Sequence, residues 1–369
     1  MKMPAEHIRE EILKRGAISF ARFMELALYC PETGYYERNQ DNVGRTGDFI
    51  TSVSTGSLFG ELLAFQFAGW LEELEQFKIK NSKLKIIEAG AHDGKLAADI
   101  LNWLQLHRPK LFSEIEYGII EPSPVRQAWQ RATLKKFPNV RWQTNLDSVG
   151  QDSVEFQSKK IAGIFFSNEL LDAFPVRRLS WDSTEKKWFE WGVTFDDEKF
   201  RWKIIHHPKP AIPQICPADL EDVLPDSYTI EISPAAENWW RAAAGVLSHG
   251  KLLAIDYGFN TEDQFSPARM TGTLRAYRHH RVTYDLLADP GEQDLTAHVN
   301  FSAMQHAGEA AGLHTENFCT QPQFLTRILA QAVKEKLFTV LDPKQIRQFQ
   351  TLTHPEHLGR AFRVLVQSR

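Results

Sequence analysis

Cysteine is scarce in this chain. Cys30, Cys216 and Cys319 are the only three in 369 residues, far apart and with no CxxC spacing. That argues against a disulfide scaffold and against a cysteine-type zinc site. Long apolar runs are missing too: none approaches the ~18 residues a membrane helix needs. The opening MKMPAEHIREEILKRG has no hydrophobic signal core, and its Glu6, Glu10 and Glu11 speak against an acid-poor transit peptide. The expectation is a bacterial-type, cytoplasmic chain without membrane insertion. Nor does one sign of charge dominate: 43 basic against 47 acidic side chains leave a net −4. No broad electrostatic grip on nucleic acid is expected. Internal repeats are absent as well.

What is present is an ordinary core-forming composition, 43% hydrophobic and 24% charged, enough for two or three domains or for one large domain with insertions. Ile8, Ile12 and Leu13, then Phe20, Phe23, Met24 and Ala27, recur at helical spacing until Pro31 and Gly34 break the stripe. A Gly-bearing loop, NVGRTGDFITSVSTGSLFGE, leads into a second helical stretch. From residue 84 short apolar runs ending in polar or acidic residues (KIIEAG, EIEYGIIEP, VRWQ, KIAGIFFSNE, KLLAIDYGF) are separated by helical segments. That alternation predicts a parallel α/β sheet. Residues 176–232 break the rhythm with alternating apolar positions rich in Trp and Phe, which predicts an antiparallel β insertion. RAFRVLVQS is the expected last strand.

The first strand turns into a helix through IIEAGAHDGKLAADIL. Ala89 through Lys95 nearly follows a phosphate loop, but Leu96 has no hydroxyl for a metal ion, and the glycine spacing is wrong for a dinucleotide fingerprint. What remains is the acid-x-Gly-x-Gly-x-Gly turn of S-adenosylmethionine enzymes, with His92 at the middle glycine, or a plain structural turn. Glu121 ends the second strand, where a nucleotide-binding sheet places an acid on ribose hydroxyls. After the fourth strand, Asn168, Glu169 and Asp172 of SNELLDAFP could hold a guanidinium by paired hydrogen bonds. Alternatively Glu169 or Asp172 caps a short helix that Pro175 ends. Asp294 and His298, four apart, could form a base and its orienter; an N-cap beside a satisfied histidine is the favoured reading. His206-His207 and His279-His280 lack a third spaced ligand, so no metal is expected.

Taken together, FARFMELALYCPETGYY, GRTGDFITS, LFGE, EAGAHDGKLAADIL, EPSP, SNELLDAFPV, DYG and DLTAHVNF resemble the MidA-like family of class I S-adenosylmethionine-dependent methyltransferases, whose mitochondrial member is a protein arginine methyltransferase needed for respiratory complex I assembly. The resemblance spans nearly the whole chain and is weakest over 180–230. It implies a Rossmann-like seven-stranded sheet of order 3-2-1-4-5-7-6, an N-terminal helical cap over 1–80 carrying the GDFITS loop, and a methyltransferase domain over 81–369 that contains the insertion. By position, Glu88, Gly90 and Gly94 would line the cofactor turn, and Glu121, Pro122 and Ser123 the ribose. Gly47, Asp48, Phe49, Thr51 and Ser52 would fold over the cofactor, while Asn168, Glu169 and Asp172 would face the acceptor.

The implied chemistry is in-line methyl transfer from S-adenosyl-L-methionine to an arginine of a protein acceptor such as a respiratory-complex subunit, leaving S-adenosyl-L-homocysteine. Competing expectations are a methyltransferase acting on a small molecule or a nucleic acid, and an assembly factor on the same scaffold. Trp181, Trp188, Trp191 and Trp202 could stack the bases of a nucleic acid, although the acidic balance lacks a basic stripe. An assembly factor would use those tryptophans as an interface.

Overall fold

The structure is a computed structural model that describes residues 2–38, 51–76, 83–149, 160–206, 216, 218–278, 281–338 and 340–369. Its central sheet is built from the apolar runs of the sequence. From one edge the strands are Val140–Gln143, Glu116–Ile120, Lys85–Ala89, Ile161–Asn168, Leu247–Phe259, Phe362–Ser368 and His314–Thr320. The first five run parallel, and Phe362–Ser368 inserts antiparallel between its two neighbours. Ile86, Ile87, Ile119, Ile164, Phe165 and Phe166 have no exposed surface, as expected of strands covered on both faces.

The sheet has eight strands where seven were expected. The eighth is the two-residue strand Val299–Asn300, which pairs in parallel with Gly258 and Phe259. Two residues are too few to show a period, so nothing in the pattern announced it.

Helices Leu58–Gln76, Lys95–His107, Gln321–Lys334 and Pro343–Thr353 cover one face. Pro234–Val246 and Phe301–Ala310 cover the other. Leu58–Gln76 thus belongs to the core of the large sheet, although it falls within the first 80 residues. The N-terminal stripe divides at Gly16 into helices Pro4–Arg15 and Phe20–Tyr29, and Ile18–Ser19 between them pairs antiparallel with Gly192 and Val193.

That pairing joins the N-terminus to the antiparallel sheet of Arg177–Asp182, Lys187–Asp196, Lys199–Ile205 and Thr229–Ile232. A third, small sheet combines Arg275–Arg278, Arg281–Thr283 and Asp294–Thr296. Ile8, Phe20, Phe23, Val193, Ala276 and Leu295 form one buried cluster among these layers. The tryptophans of the insertion pack internally. Trp181 lies 5.3 Å from Trp188, and Trp202 lies 5.0 Å from Phe20, centroid to centroid.

Chain order reverses beside Lys85–Ala89. The chain leaves it for Glu116–Ile120 and Val140–Gln143 on one side, then returns to Ile161–Asn168 on the other. Carboxyl ends of strands that diverge in this way leave a crevice between them.

Candidate functional site

Gly90 follows the first strand of the central sheet with φ +76°, and a Cβ built there would sit 2.9 Å from Leu170 Cδ1. Glycine lets this turn meet the one after Ile161–Asn168 without strain at φ +76° and without displacing the Leu170 methyl. His92 takes the left-handed conformation of a middle glycine, with φ +47°. Its Nε2 lies 3.1 Å from Arg126 Nη1, and its ring packs edge-on to Trp129. A guanidinium only donates, so Nε2 is the acceptor and the imidazole is drawn toward helix Pro124–Thr133. Gly94 caps helix Lys95–His107 and packs near Leu134 and Gln130; it does not border the cavity described below.

Two acids end adjacent strands here. Glu88 Oε2 accepts from Tyr117 Oη at 2.7 Å, yet burial pushes its pKa up to about 8. Glu121 accepts from Ser123 N and from Gln130 Nε2, each at 3.0 Å, and burial outweighs those bonds to bring it to about 7. Ser123 Oγ caps helix Pro124–Thr133.

The turn after Ile161–Asn168 is fastened from below. Asp256 Oδ2 accepts from Leu170 N at 3.1 Å and Leu171 N at 2.8 Å, while Glu169 N donates to Ile255 O at 2.9 Å. Glu169 itself has φ +50°. Its Oε1 accepts from Ser52 N at 3.1 Å and Asn168 Nδ2 at 3.2 Å, and burial pushes its pKa up to about 8. The Asp172 carboxyl is raised well above its ordinary range by burial first, and then by the charges of Asp256, Asp294 and Glu169.

One cavity of about 910 Å³ joins these groups, a size that suits a nucleotide-like ligand. It brings together Thr51, Glu88, Gly90, Glu121, Pro122, Ser123, Asn168, Glu169 and Asp172. Ser52 is fully buried beneath it and gives its Oγ hydrogen to Gln321 Oε1. Gly47, Asp48 and Phe49 lie outside the described residues, as do His207, His279 and His280. Among the described residues no group of three or more His, Cys, Asp or Glu could hold a metal.

The cavity also contains residues that sequence reasoning left unassigned: Thr144–Asp147, Tyr29, Tyr36, Tyr257 and Tyr277. Tyr29, Tyr36 and Tyr257 fall within FARFMELALYCPETGYY and DYG, motifs of the resemblance that carry no assigned role. Asp294 and His298 do not share a helix face. Asp294 opens the strand Asp294–Thr296, His298 lies beyond its end, and both border the cavity. His298 Nδ1 is buried without a hydrogen-bond partner, so the satisfied histidine expected here is not what the fold contains.

In a largely apolar lining acids outnumber Lys and Arg, the glycine turn leaves room for a ligand against the backbone, and acceptor atoms face the cavity. A nucleoside carrying an ammonium and a sulfonium matches that donor set.

Over residues 62–319 the sequence matches the family described as “Putative S-adenosyl-L-methionine-dependent methyltransferase”. The chain is 28% identical to the mitochondrial protein arginine methyltransferase NDUFAF7 homologue of Drosophila melanogaster, over 98% of this chain and 84% of that one. Against the mitochondrial protein arginine methyltransferase NDUFAF7 of Danio rerio it is likewise 28% identical, over 97% and 85%. A crystal structure of a Burkholderia thailandensis protein bound to S-adenosyl-homocysteine superposes with a TM-score of 0.83 at 31% identity, over 99% of this chain and 92% of that one. Among the described residues no helix is long and apolar enough to cross a membrane.

Proposed function

Because the chain belongs to this family of S-adenosyl-L-methionine-dependent methyltransferases, we propose that its acceptor is an arginine side chain of a protein, methylated at the acid-lined end of the cavity. The observation that carries the reading is Glu169. A non-glycine residue keeps a left-handed backbone, φ +50°, at the floor of the cavity beside Asp172. Strain of this kind is retained where the surrounding structure enforces it for a purpose. The printed names of the relatives, at 28% identity, support the same acceptor.

The bound cofactor supplies a methyl group already activated by its sulfonium. The chain's own residues then have three tasks. Glu88 and Glu121, at the ends of adjacent strands, hold the polar groups of the cofactor. Glu169 accepts N–H bonds from the guanidinium and aims one nitrogen at the methyl carbon, with Asn168 bracing its carboxylate through the bond at 3.2 Å. Asp172, kept protonated by its surroundings in the absence of a cation, becomes the counter-charge once a cation enters. The attacked nitrogen would lose one proton on methylation, with the Glu169 carboxylate placed to take it, and positioning and exclusion of water supply the rest of the rate.

Peptides bearing arginine, or lysine at the same place, are incubated with the enzyme and labelled S-adenosyl-L-methionine, and products are mapped by mass spectrometry. Methyl-arginine is expected, and Glu169→Gln is expected to lower turnover about 100-fold. Methyl-lysine alone, or no peptide product, would overturn the arginine reading; an unchanged rate in Glu169→Gln would remove Glu169 from its role.

A further inference from the structure

Both side-chain hydrogen bonds that the fold gives Glu169 land on one oxygen. Oε1 accepts from Asn168 Nδ2 at 3.2 Å and from Ser52 N at 3.1 Å, the latter across 117 positions of sequence. Oε2 accepts from no described residue, which leaves it for a donor in the cavity that Glu169 borders. The direction of the carboxylate therefore depends on where Ser52 holds its N–H.

What holds Ser52 comes from the far end of the chain. Ser52 is fully buried, and its Oγ lies 3.2 Å from Gln321 Oε1, across 269 positions. Gln321 has no exposed surface either, and its Nε2 donates to Leu352 O at 3.0 Å. A backbone carbonyl only accepts, so that bond fixes which end of the amide faces Ser52. The amide oxygen faces it, and the Ser52 hydroxyl is the donor. Gln321 opens helix Gln321–Lys334, while Leu352 belongs to helix Pro343–Thr353. The second helix grips the segment again, where Gln348 Oε1 accepts from Leu58 N at 3.1 Å.

Within the segment, Ser54 N and Oγ donate to Thr51 Oγ1 and O at 3.1 and 2.9 Å, and Thr55 Oγ1 donates to Ser52 O at 2.8 Å. A turn so braced moves as one piece. Its place relative to Glu169 is then set by its anchors, and Gln321 is the anchor bonded to Ser52 itself.

Resting on the reading of Glu169 as the clamp for the acceptor, we propose that Gln321 is a positioning residue. Through Ser52 it fixes the backbone N–H that pins Glu169 Oε1 and so presents Oε2 to the acceptor.

The test reads Glu169 directly, in the full chain isotopically labelled at its glutamate carboxyl carbons. The Glu169 signal is the one missing from Glu169→Gly, and its titration midpoint is followed by NMR. Asp256, Asp172 and Tyr257 are the titratable groups that act on it, and none of them hydrogen-bonds to Ser52 or Gln321. Gln321→Met keeps the length of the side chain and removes both of its bonds. It is expected to raise the midpoint by about one pH unit, a change of about tenfold in proton affinity, because the carboxylate loses a charge-assisted donor. Single-turnover methyl transfer at saturating S-adenosyl-L-methionine should fall about tenfold in Gln321→Met, but no more than about twofold when the change is made in Glu169→Gly. A merely structural glutamine would leave the midpoint in place and lower the rate equally in both backgrounds; either result overturns the proposal. If Gln321→Met loses its melting transition, Ser52→Ala decides, since it cuts the same tie from the other end, and an unmoved midpoint there overturns the proposal. A raised midpoint in an enzyme that methylates lysine peptides alone, or no peptide, would sink the arginine reading and leave the positioning role standing.

Discussion

His92 and Glu169 border the cavity in left-handed backbone conformations, at φ +47° and +50°, a choice that costs a non-glycine residue roughly 1–3 kcal/mol. His92 gains a bond to Arg126 from its conformation, and Glu169 places a carboxylate on the cavity floor. Glu169→Gly is therefore expected to hold or raise the melting temperature, since relief is worth about 1 kcal/mol, while single-turnover methyl transfer falls about 100-fold. A lower melting temperature with full activity would contradict this account. Titration gives a second check. Glu88 and Glu169 near 8, and Glu121 near 7, all stand above their ordinary value of 4.5 because of burial. The folded state then binds more protons than the unfolded one between these limits, so these groups make stability fall as pH rises from about 5 to about 8. A cationic ligand favours the ionised forms and expels protons. S-adenosyl-L-methionine binding near pH 7, measured by calorimetry in phosphate and in Tris, should show net proton release, and affinity should rise with pH. Identical apparent enthalpies in the two buffers, before any correction for buffer ionisation, would rule this out.

At the scale of elements, the site is two turns held against each other by the strands beneath them. Asp256 fastens the second turn through the backbone N–H groups of Leu170 and Leu171, while its Oδ1 accepts from Tyr257 N on its own strand. Asp256→Ala is expected to cost about 2–4 kcal/mol in denaturant unfolding and to loosen acceptor binding along with it. Strand spacing is equally strict at Gly163, where φ is +142° and a Cβ would lie 1.9 Å from Lys85 O. Gly163→Ala should cost about 3 kcal/mol or more, read from the same unfolding curves; a loss under 1 kcal/mol would mean that the strands part more easily than their register implies. Both turns were legible in the sequence, because apolar runs ending in Glu88, Glu121 and Asn168-Glu169 mark strand ends without outside help. The fastening by Asp256 was not, since its partners Leu170 and Leu171 lie more than eighty residues earlier in the chain.

Across the whole molecule, the end of the cavity proposed for the cofactor and the end proposed for the acceptor have different origins. The first draws on residues 85–147, a nearly continuous stretch whose periodicity predicts it. The second adds to Asn168, Glu169 and Asp172 the residues Tyr29 and Tyr36 at one end of the sequence and Arg275, Tyr277, Asp294 and His298 near the other, and no local pattern ties those segments together. Their meeting depends on the buried cluster that packs Phe20 and Phe23 against the antiparallel sheet and the small sheet. Phe23→Ala should lose about 3–5 kcal/mol of stability and weaken acceptor binding more than cofactor binding, as thermal unfolding and calorimetry with each ligand would show. Equal losses for both ligands would argue that the two ends are one mechanical unit. The hydrogen bond from Tyr36 to Asp294 spans 258 positions of sequence, which bears on synthesis. A ribosome-bound chain that has not yet released its two hundred and ninety-fourth residue lacks one wall of the chamber, so the chamber cannot close around a ligand before that residue has emerged.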